Sequence, residues 1–329
     1  MPRVDPVRRV VFIRTDRLGE TLLNLPVIAS LKAALPHAVL TLLVQTELAP
    51  LMARAPGVNH VLAVGTTPGT WWMRALALSR LLQPCRFDLA VVSNPMKELH
   101  AAVWLAGIPL RVGYDRKWGF LLTHRLPDRK ALGERHEAAY NLDLLRALGL
   151  PVVASTHWQL PRFEREEVEV QHLLEQQGLG SADPFIAIHP WTSNPRKQWP
   201  LDRFERLIQL IVERLQTRVV LIGGKEEAGH LQRVAPPSGR VADLVGRCSL
   251  TQLAALLQRA RLLVSNDSGP VHLAAAVGTP TVVLFGSEHP GTGPTRWGPW
   301  GQGHSVIWKP SMDEIVVEEV FEAVRAHVG

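Results

Sequence analysis

The chain has 329 residues, of which 46% are hydrophobic and 20% charged, and its formal net charge is +6. This length predicts one large or two medium domains, and the composition excludes a disordered, collagen-like or disulfide-stapled protein. No apolar run reaches the roughly 20 residues of a membrane-spanning helix, and the short run after Arg8-Arg9 does not fit a secretion signal. We therefore expect a cytoplasmic protein.

The positive charge belongs to one half of the chain. Residues 1–160 contain 19 Lys/Arg and 11 Asp/Glu, whereas residues 161–329 contain 17 and 19. The first half is expected to face an anionic partner such as a phosphate-bearing lipid or a nucleic acid, unless its charge serves solubility alone. A nucleic acid is disfavoured, because the basic residues match no recognised nucleic-acid module and the second half is acidic.

The first half alternates strand-length apolar runs with helix-length segments. The predicted strands are 9–14, 38–44, 60–64 and 87–92, and the predicted helices are 21–35, 47–55, 70–82, 97–106 and 135–148. This alternation predicts a parallel sheet covered by helices on both faces.

A linker at residues 149–161 separates this half from a second one with the same alternation. Its predicted strands are 185–188, 218–222, 262–264 and 281–285, and its predicted helices are 164–177, 202–215, one after Glu226, 249–260, 269–277 and 313–327. Each sheet offers a crevice at the carboxyl ends of its strands, and facing crevices would form one interdomain cleft.

The first candidate site is the turn Arg14-Thr15-Asp16-Arg17-Leu18-Gly19-Glu20, directly after the first strand. A carboxylate in this position, Glu20 or Asp16, is suited to act as a general base, and the arginines are suited to hold an anion. The alternative is that Glu20 or Asp16 only caps the helix that follows.

The second candidate site is the loop at residues 189–200, which contains hydroxyls and basic residues. Thr192, Ser193 and backbone amides can donate hydrogen bonds to a phosphate, and Lys197 supplies a compact positive charge. The alternative is a solvated Lys197 beside a Trp199-Pro200 pair that packs the start of the next helix.

The third candidate site opens the Ala-rich helix predicted at 269–277. Ser268 and Gly269 would leave backbone amides directed along the helix dipole toward a pyrophosphate, with Pro270 in the first turn. Asp267 either orients a sugar hydroxyl or caps the helix.

A weaker site lies in Gly223-Gly224-Lys225-Glu226-Glu227, after the strand predicted at 218–222. A carboxylate there can accept the hydroxyls of a ribose, although first-turn acids on a helix are the commoner reason for such residues. No metal is expected, because the histidines do not reproduce a known ligand spacing.

Together these stretches resemble glycosyltransferase family 9, the ADP-heptose:lipopolysaccharide heptosyltransferases. The resemblance covers nearly the whole chain, and its two most specific motifs are Lys197-Gln198-Trp199-Pro200 and Asp267-Ser268-Gly269-Pro270-Val271-His272-Leu273-Ala274-Ala275-Ala276. Further matching stretches are the turn at 14–20 with Pro26, Pro56-Gly57-Val58, Arg111-Val112-Gly113-Tyr114, Pro280 and Phe285-Gly286.

The resemblance implies an α/β protein of the GT-B type, with two Rossmann-like domains whose parallel sheets face across a cleft. Residues 1–155 would bind the acceptor and residues 156–329 the nucleotide sugar, with the C-terminal helix a candidate to pack back on the first domain. It also implies an inverting reaction that uses an ADP-sugar and needs no bound metal or other cofactor.

By the same resemblance, Glu20 is the catalytic base with Asp16 in reserve, and Lys197 binds the donor diphosphate. The other donor contacts fall on Thr192, Ser193, Ser268 and Gly269 for the diphosphate, on Asp267 for the sugar or diphosphate, and on Glu226, or less favourably Glu227, for the ribose; His272 lies in the motif without an assigned role. The family usually has Gly-Asp where this chain has Gly19-Glu20, which alters the reach of the base more than its basicity.

We therefore expect transfer of a heptose-type sugar to an anionic glycolipid, namely the lipopolysaccharide inner core or a related envelope glycan. Trp71-Trp72 and the basic segment 111–135 are candidates for peripheral contact with the inner face of the membrane, although a tryptophan pair on a helix more often packs in a core. The alternatives are a transferase of the same fold with another nucleotide sugar, and a donor-binding protein with impaired catalysis.

Overall fold

The computed structural model describes residues 7–65, 68–152, 158–228 and 239–328. The chain divides into two compact units, Met1–Leu160 and Pro161–Gly329. The boundary predicted between residues 155 and 156 lies outside the described residues.

In the first unit, six parallel strands form one sheet in the order β3-β2-β1-β4-β5-β6. The strands are β1 Arg9–Ile13, β2 Val39–Gln45, β3 His60–Val64, β4 Leu89–Val92, β5 Leu110–Tyr114 and β6 His124–Leu126. The helices are α1 Leu18–Leu22, α2 Leu25–Ala34, α3 Ala49–Met52, α4 Trp71–Leu82, α5 Lys97–Leu105 and α6 Glu137–Arg146.

In the second unit, six parallel strands again form one sheet, in the order β12-β11-β10-β7-β8-β9. The strands are β7 Phe185–His189, β8 Arg218–Leu221, β9 Val241–Asp243, β10 Leu262–Asn266, β11 Thr281–Gly286 and β12 His304–Lys309. The helices are α7 Glu164–Glu175, α8 Leu201–Arg214, α9 Leu250–Arg259, α10 Gly269–Val277, α11 Pro294–Trp297 and α12 Val317–Val328.

Both sheets have the strand order of a Rossmann fold when the strands of each unit are counted from its own first strand. Their central strands are buried on both faces, which explains why β4 and the first four residues of β7 form continuous apolar runs without polar alternation. The strand order reverses between β1 and β4 in the first unit and between β7 and β10 in the second. Ligands of such sheets bind outside the carboxyl ends of the strands at this switch point, so the turns after these four strands are the places to examine.

The helix predicted at residues 21–35 is wrong in its start and its continuity. The structure has α1 and α2 instead, separated at Leu23 and Asn24. Pro26 lies in the first turn of α2, and since proline lacks an N–H and clashes with the carbonyl four residues earlier, a continuous helix cannot pass through it without disruption.

The last helix, α12, buries Val320, Phe321 and Val324 in the core of the second unit. There they meet strand side chains such as Val264 and Leu284. The apolar face of α12 is therefore used within the second unit. No helix in the described ranges has the length and apolar character needed to cross a membrane.

Candidate active site

The turn that follows β1 places Glu20 in the first turn of α1, at the switch point of the first sheet. The carboxyl group of Glu20 is half-buried, and this burial raises its pKa above the ordinary value. Its own backbone amide opposes the shift, the neighbouring Asp16 adds to it, and Arg14 and Arg17 reduce it. A carboxylate with a raised pKa is a stronger proton acceptor, as a general base requires.

Neither acidic side chain caps α1, so the capping alternative for this turn is wrong. The residue before the helix is Arg17, and no side chain makes a cap hydrogen bond there. Asp16 instead accepts a hydrogen bond from Nε of Arg14 at 2.7 Å. This contact occupies the carboxylate of Asp16 with a structural partner and leaves Glu20 as the better candidate for proton transfer.

Arg14 is the centre of a buried polar network behind this turn. Its Nη1 donates to the carbonyl and to the hydroxyl of Ser93, each at 3.2 Å. The Ser93 hydroxyl donates to Oδ1 of Asn24 at 2.7 Å, and Nδ2 of Asn24 donates to the backbone carbonyl of Glu20 at 2.7 Å. Arg14 is therefore connected to Asp16 directly and to the backbone of Glu20 through two side chains.

The network continues to Glu137 on α6, which is 1% exposed. Its Oε1 lies 3.7 Å from Nη1 of Arg14 and 2.6 Å from Nζ of Lys130. Nζ of Lys130 also donates to Oδ1 of Asn141 at 2.6 Å and lies 4.2 Å from the centre of the Tyr114 ring. Two buried cations are thus balanced by Glu137 and Asp16, as buried charges must be to avoid a large desolvation cost.

Sequence reasoning missed Lys130, Glu137 and Asn141. A signal was present, because Glu137 and Asn141 are four residues apart and share one helix face with Leu144 and Leu145. Polar residues within an apolar helical stripe are expected to be buried, and buried polar side chains are nearly always hydrogen-bonded to other groups of the protein.

In the second unit, the loop after β7 is fixed by a tryptophan and an asparagine. Trp199 is fully buried, and its indole N–H donates to the carbonyl of Ile315 at 3.0 Å. Its backbone N–H donates to Oδ1 of Asn266 at 3.1 Å, and Nδ2 of Asn266 donates to the carbonyl of Pro190 at 2.8 Å. The packing role considered for Trp199 is confirmed, and it holds Lys197, two residues earlier, in a defined position.

Lys197 forms an ion pair with Asp267 across the switch point of the second sheet. The side chain of Lys197 is 28% exposed, so the alternative of a solvated lysine is wrong. Asp267 is buried, and this burial raises the pKa of its carboxyl group, while the adjacent Lys197 opposes the shift. Asp267 makes no cap, because α10 begins after Ser268 and no side chain caps it.

The start of α10 presents backbone amides without a side-chain cap. The hydroxyl of Ser268 lies 2.9 Å from that of Ser265 and 3.2 Å from Nδ1 of His189. Burial lowers the pKa of His189 to about 4, so this imidazole is neutral near pH 7. Because the hydroxyl of Ser268 is turned to these partners, it does not cap the helix. The backbone N–H groups of Ser268 and Gly269 lie at the positive end of the helix dipole, a position that favours binding of an anion.

The other residues predicted to contact the donor substrate lie around the same edge of the second sheet. Ser193 is exposed, and the hydroxyl oxygen of Thr192 accepts from the N–H of Asn194 at 3.4 Å, which leaves its O–H able to donate. His272 is buried within α10. The part of the predicted helix that extends over 229–238 lies outside the described residues.

Of the two glutamates considered for a ribose, Glu226 is exposed, whereas Glu227 turns back and accepts a hydrogen bond from the N–H of Gly224. Gly223 packs so closely on Trp191 that a Cβ added there would lie 2.9 Å from its ring. A glycine is therefore required at this close approach. The contact made by Glu227 leaves Glu226 as the carboxylate with access to a ligand.

Two Rossmann-type sheets, each with polar turns at its switch point, place the protein in the GT-B class of α/β folds. The sequence matches Glycosyltransferase family 9 (heptosyltransferase) over residues 75–323. The chain therefore belongs to this family and is a glycosyltransferase.

Comparison with individual proteins agrees with this assignment. The chain is 30% identical over 300 residues to "Lipopolysaccharide heptosyltransferase 2" of Salmonella typhimurium (strain LT2), an alignment that covers 86% of this chain and 84% of the relative. The structure of a glycosyl transferase of family 9 from Veillonella parvula superposes with a TM-score of 0.87 at 22% identity, covering 98% of this chain and 97% of that one. The structure of Escherichia coli ADP-heptose lps heptosyltransferase II superposes with a TM-score of 0.80 at 23% identity, covering 98% of each chain.

Proposed function

We propose that the protein transfers a heptose-type sugar from an ADP-sugar to the lipopolysaccharide inner core or a related envelope glycan, with inversion and without a metal. The observation that carries the proposal is the position of Lys197 at the switch point of the second sheet, where it pairs with Asp267 in the turn between β10 and the open start of α10. The heptosyltransferase named among its relatives supports the sugar and the acceptor class, and the ADP-heptose enzyme of the same fold supports the donor.

On the donor side, Lys197 and the amides of Ser268 and Gly269 bind the diphosphate. Asp267 holds Lys197 in place through the ion pair, and its direct contact with the donor sugar or diphosphate stays a prediction. An ammonium group has three donors, so Nζ of Lys197 keeps two for phosphate oxygens. Thr192 and Ser193 add hydroxyl donors.

Glu226 is assigned to the ribose, because its carboxylate is exposed and Glu227 is occupied by Gly224. A carboxylate that accepts hydrogen bonds from the ribose hydroxyls must lie at the carboxyl edge of the sheet. Glu226 meets this condition, because its segment follows β8.

On the acceptor side, Glu20 takes the proton of a hydroxyl group as its oxygen attacks the anomeric carbon. A bond forms between that oxygen and the carbon, and the bond from the carbon to the diphosphate oxygen breaks. The electron pair leaves with ADP, and attack from the face opposite the leaving group inverts the configuration. Asp16 is the less favoured base because Arg14 occupies its carboxylate.

Negative charge accumulates on the leaving diphosphate during this step. A fixed lysine and helix-terminal amides can stabilise that charge by preorganised electrostatics, the task that a divalent cation performs in other transferases. This capacity of Lys197 and α10 supports the proposal of metal-independent transfer.

The acceptor is proposed to be an anionic glycolipid met at the inner face of the cytoplasmic membrane. Exposed aromatic side chains support this location: Trp72 is 55% exposed and Phe120 is 66% exposed. Trp71 is half-buried against Trp118, with ring centres 4.5 Å apart, and Trp118 lies 5.8 Å from Phe120. The alternative of core packing is therefore wrong for Trp72.

The test is a transfer assay with purified protein, a lipopolysaccharide inner-core acceptor and a panel of ADP- and UDP-linked sugars. We expect ADP-heptose to be the donor, and a Lys197→Ala substitution to lower turnover by about 10²–10³-fold through loss of leaving-group stabilisation. Lys309→Ala is the matched control, because this lysine pairs with Glu319 on the surface of the same unit.

Since Lys197→Ala also leaves Asp267 without its counter-ion, the variant Lys197→Met with Asp267→Asn is measured beside it, and thermal unfolding confirms that each is folded. Wild-type turnover in both folded variants would contradict the role of Lys197. Transfer from a UDP-sugar alone would contradict the proposed donor.

A further inference from the structure

A pocket of about 290 Å³ lies at the carboxyl edge of the first sheet. Thr15 and Gln45 line it at the ends of β1 and β2, and Arg74 and Glu98 line it from α4 and α5. Thr15 belongs to the same turn as Glu20, so the pocket adjoins the turn that carries the proposed base. Its volume lies at the lower end for small-ligand sites, which suits a single sugar ring better than an oligosaccharide.

The charged groups of this pocket are paired with each other. Nη2 of Arg74 lies 3.1 Å from Oε1 of Glu98, and Nε of Arg74 donates to the same oxygen at 3.2 Å. Glu98 is 8% exposed and lies in the first turn of α5. Both contacts of Arg74 with Glu98 use Oε1, while Nη1 of Arg74 donates to the carbonyl of Gly69 at 3.0 Å. Among the described residues, Oε2 of Glu98 has no hydrogen-bond donor.

This pairing determines which ligand the pocket can take. Glu98 already neutralises Arg74, so a carboxylate or phosphate would meet no net positive charge here and would be repelled by the carboxylate of Glu98. An uncharged hydroxyl group, in contrast, can donate to Oε2 of Glu98 while the ion pair remains intact. Hydrogen bonds from a neutral donor to an ionised acceptor are among the stronger ones.

The other polar groups also suit hydroxyls. Nε2 of Gln45 donates to the carbonyl of Thr15 at 2.8 Å, which leaves Oε1 of Gln45 as an acceptor. The hydroxyl oxygen of Thr15 accepts from Nδ2 of Asn94 at 3.3 Å, so its O–H can donate. Leu78 and Met96 add apolar surface for the C–H faces of a ring.

We propose that this pocket binds an uncharged pyranose ring of the acceptor, with Glu98 selecting against rings that carry a carboxylate or phosphate. The proposal rests on the proposed function, since it takes the ligand to be part of the acceptor. Anionic groups elsewhere on the acceptor would then contact the basic surface of the first unit outside this pocket.

The test uses three probes with the same ring: methyl α-D-mannopyranoside, its uronate and its 6-phosphate. Saturation-transfer NMR measures their binding to the wild-type protein, to Glu98→Gln and to the control Glu134→Gln, which changes an exposed glutamate of the same unit. Binding of ADP, measured by calorimetry on the same samples, reports the donor site separately.

We expect the wild-type protein and the control to bind the neutral glycoside at least about tenfold more tightly than the two anions, the effect of one hydrogen bond to a charged group. Glu98→Gln releases Arg74 from its partner, so the preference should reverse toward the uronate. A purely structural role of Glu98 would not reverse the selectivity.

Three results would overturn the proposal: an anionic probe binding the wild-type protein as tightly as the neutral one, an unchanged preference in Glu98→Gln, or no binding of any probe. If ADP binding and sugar transfer persist in such a case, only the assignment of this pocket has failed. If the neutral glycoside binds as expected and no transfer occurs, the failure lies in the proposed function.

Discussion

Asn266 illustrates how single side chains fix the donor half of the candidate site. It connects the backbone of Trp199 to that of Pro190, and both belong to the loop that carries Lys197. A lysine in a hydroxyl-rich loop after a strand suits phosphate, so the sequence marks Lys197 as a candidate for donor binding, and this role stays a prediction. The sequence did not predict that Asp267 is the partner of that lysine, because the two residues are 70 positions apart and meet only when β7 and β10 pair.

Glu20 is the residue whose proposed role is most sensitive to pH. Burial raises its pKa, and a general base acts only when deprotonated, so turnover should fall as the pH drops through this raised value. The acidic limb of the kcat profile should therefore lie above the usual range of a glutamate, near 4.3. Glu20→Gln should lower kcat by about 10²–10⁴-fold while ADP binding is retained.

Glu20→Asp, which restores the acidic residue usual in the family, and Asp16→Asn complete the set. If Asp16→Asn abolishes the acidic limb and Glu20→Gln leaves it in place, the base is Asp16 and the assignment of Glu20 is wrong.

At the scale of elements, the apolar strands and most helices were predictable, because buried strands of a parallel sheet are continuous hydrophobic runs. The helix α10 matches its predicted bounds of 269–277. The strands β5, β6, β9 and β12 were not predicted. The inner strand β5 has Arg111 within its short apolar run, and the other three lie at the edges of the two sheets and carry polar residues such as Arg125, Asp243 and His304. Edge strands are short and partly exposed, so their hydrophobic pattern is weak.

The buried polar residues of α6 lead to a stability prediction. Replacing Lys130 by Met leaves Glu137 buried without its nearest cation, 2.6 Å away, and should lower the free energy of unfolding by about 3–5 kcal/mol. The double substitution Lys130→Met with Glu137→Gln also removes the buried negative charge and should recover part of this loss. Urea denaturation measures all three proteins, and a double variant less stable than Lys130→Met would contradict the proposed charge balance.

The exposed aromatic residues of α4 and of the turn near Phe120 lead to a prediction on membranes. We expect the protein to bind vesicles of anionic phospholipid in sedimentation assays, less tightly at high salt because exposed charges are screened. Trp72→Ser with Phe120→Ser should weaken binding. Trp308→Ser is the matched control, because this tryptophan of the second unit is also 55% exposed. Binding that is indifferent to salt, or equally weakened by the control, would contradict this account.

For the whole molecule, the sequence predicted two units of the same construction, and the structure confirms the shared strand order of their sheets. The units differ in charge, with the basic excess in residues 1–160 and a slight acidic excess in residues 161–329. This division fits an anionic acceptor on the first unit, because a basic surface attracts such a ligand over distance. The second unit has no such basic excess, so the donor diphosphate must be bound by individual groups. The central claim is that these groups are Lys197 and the start of α10.

A crystal structure of the protein with ADP tests this claim most directly. We predict that oxygens of the diphosphate lie within hydrogen-bonding distance of Nζ of Lys197 and of the backbone N–H of Gly269, with the ribose near Glu226. A diphosphate bound elsewhere, with Lys197 still turned only to Asp267 and the start of α10 making no contact with ADP, would contradict the account.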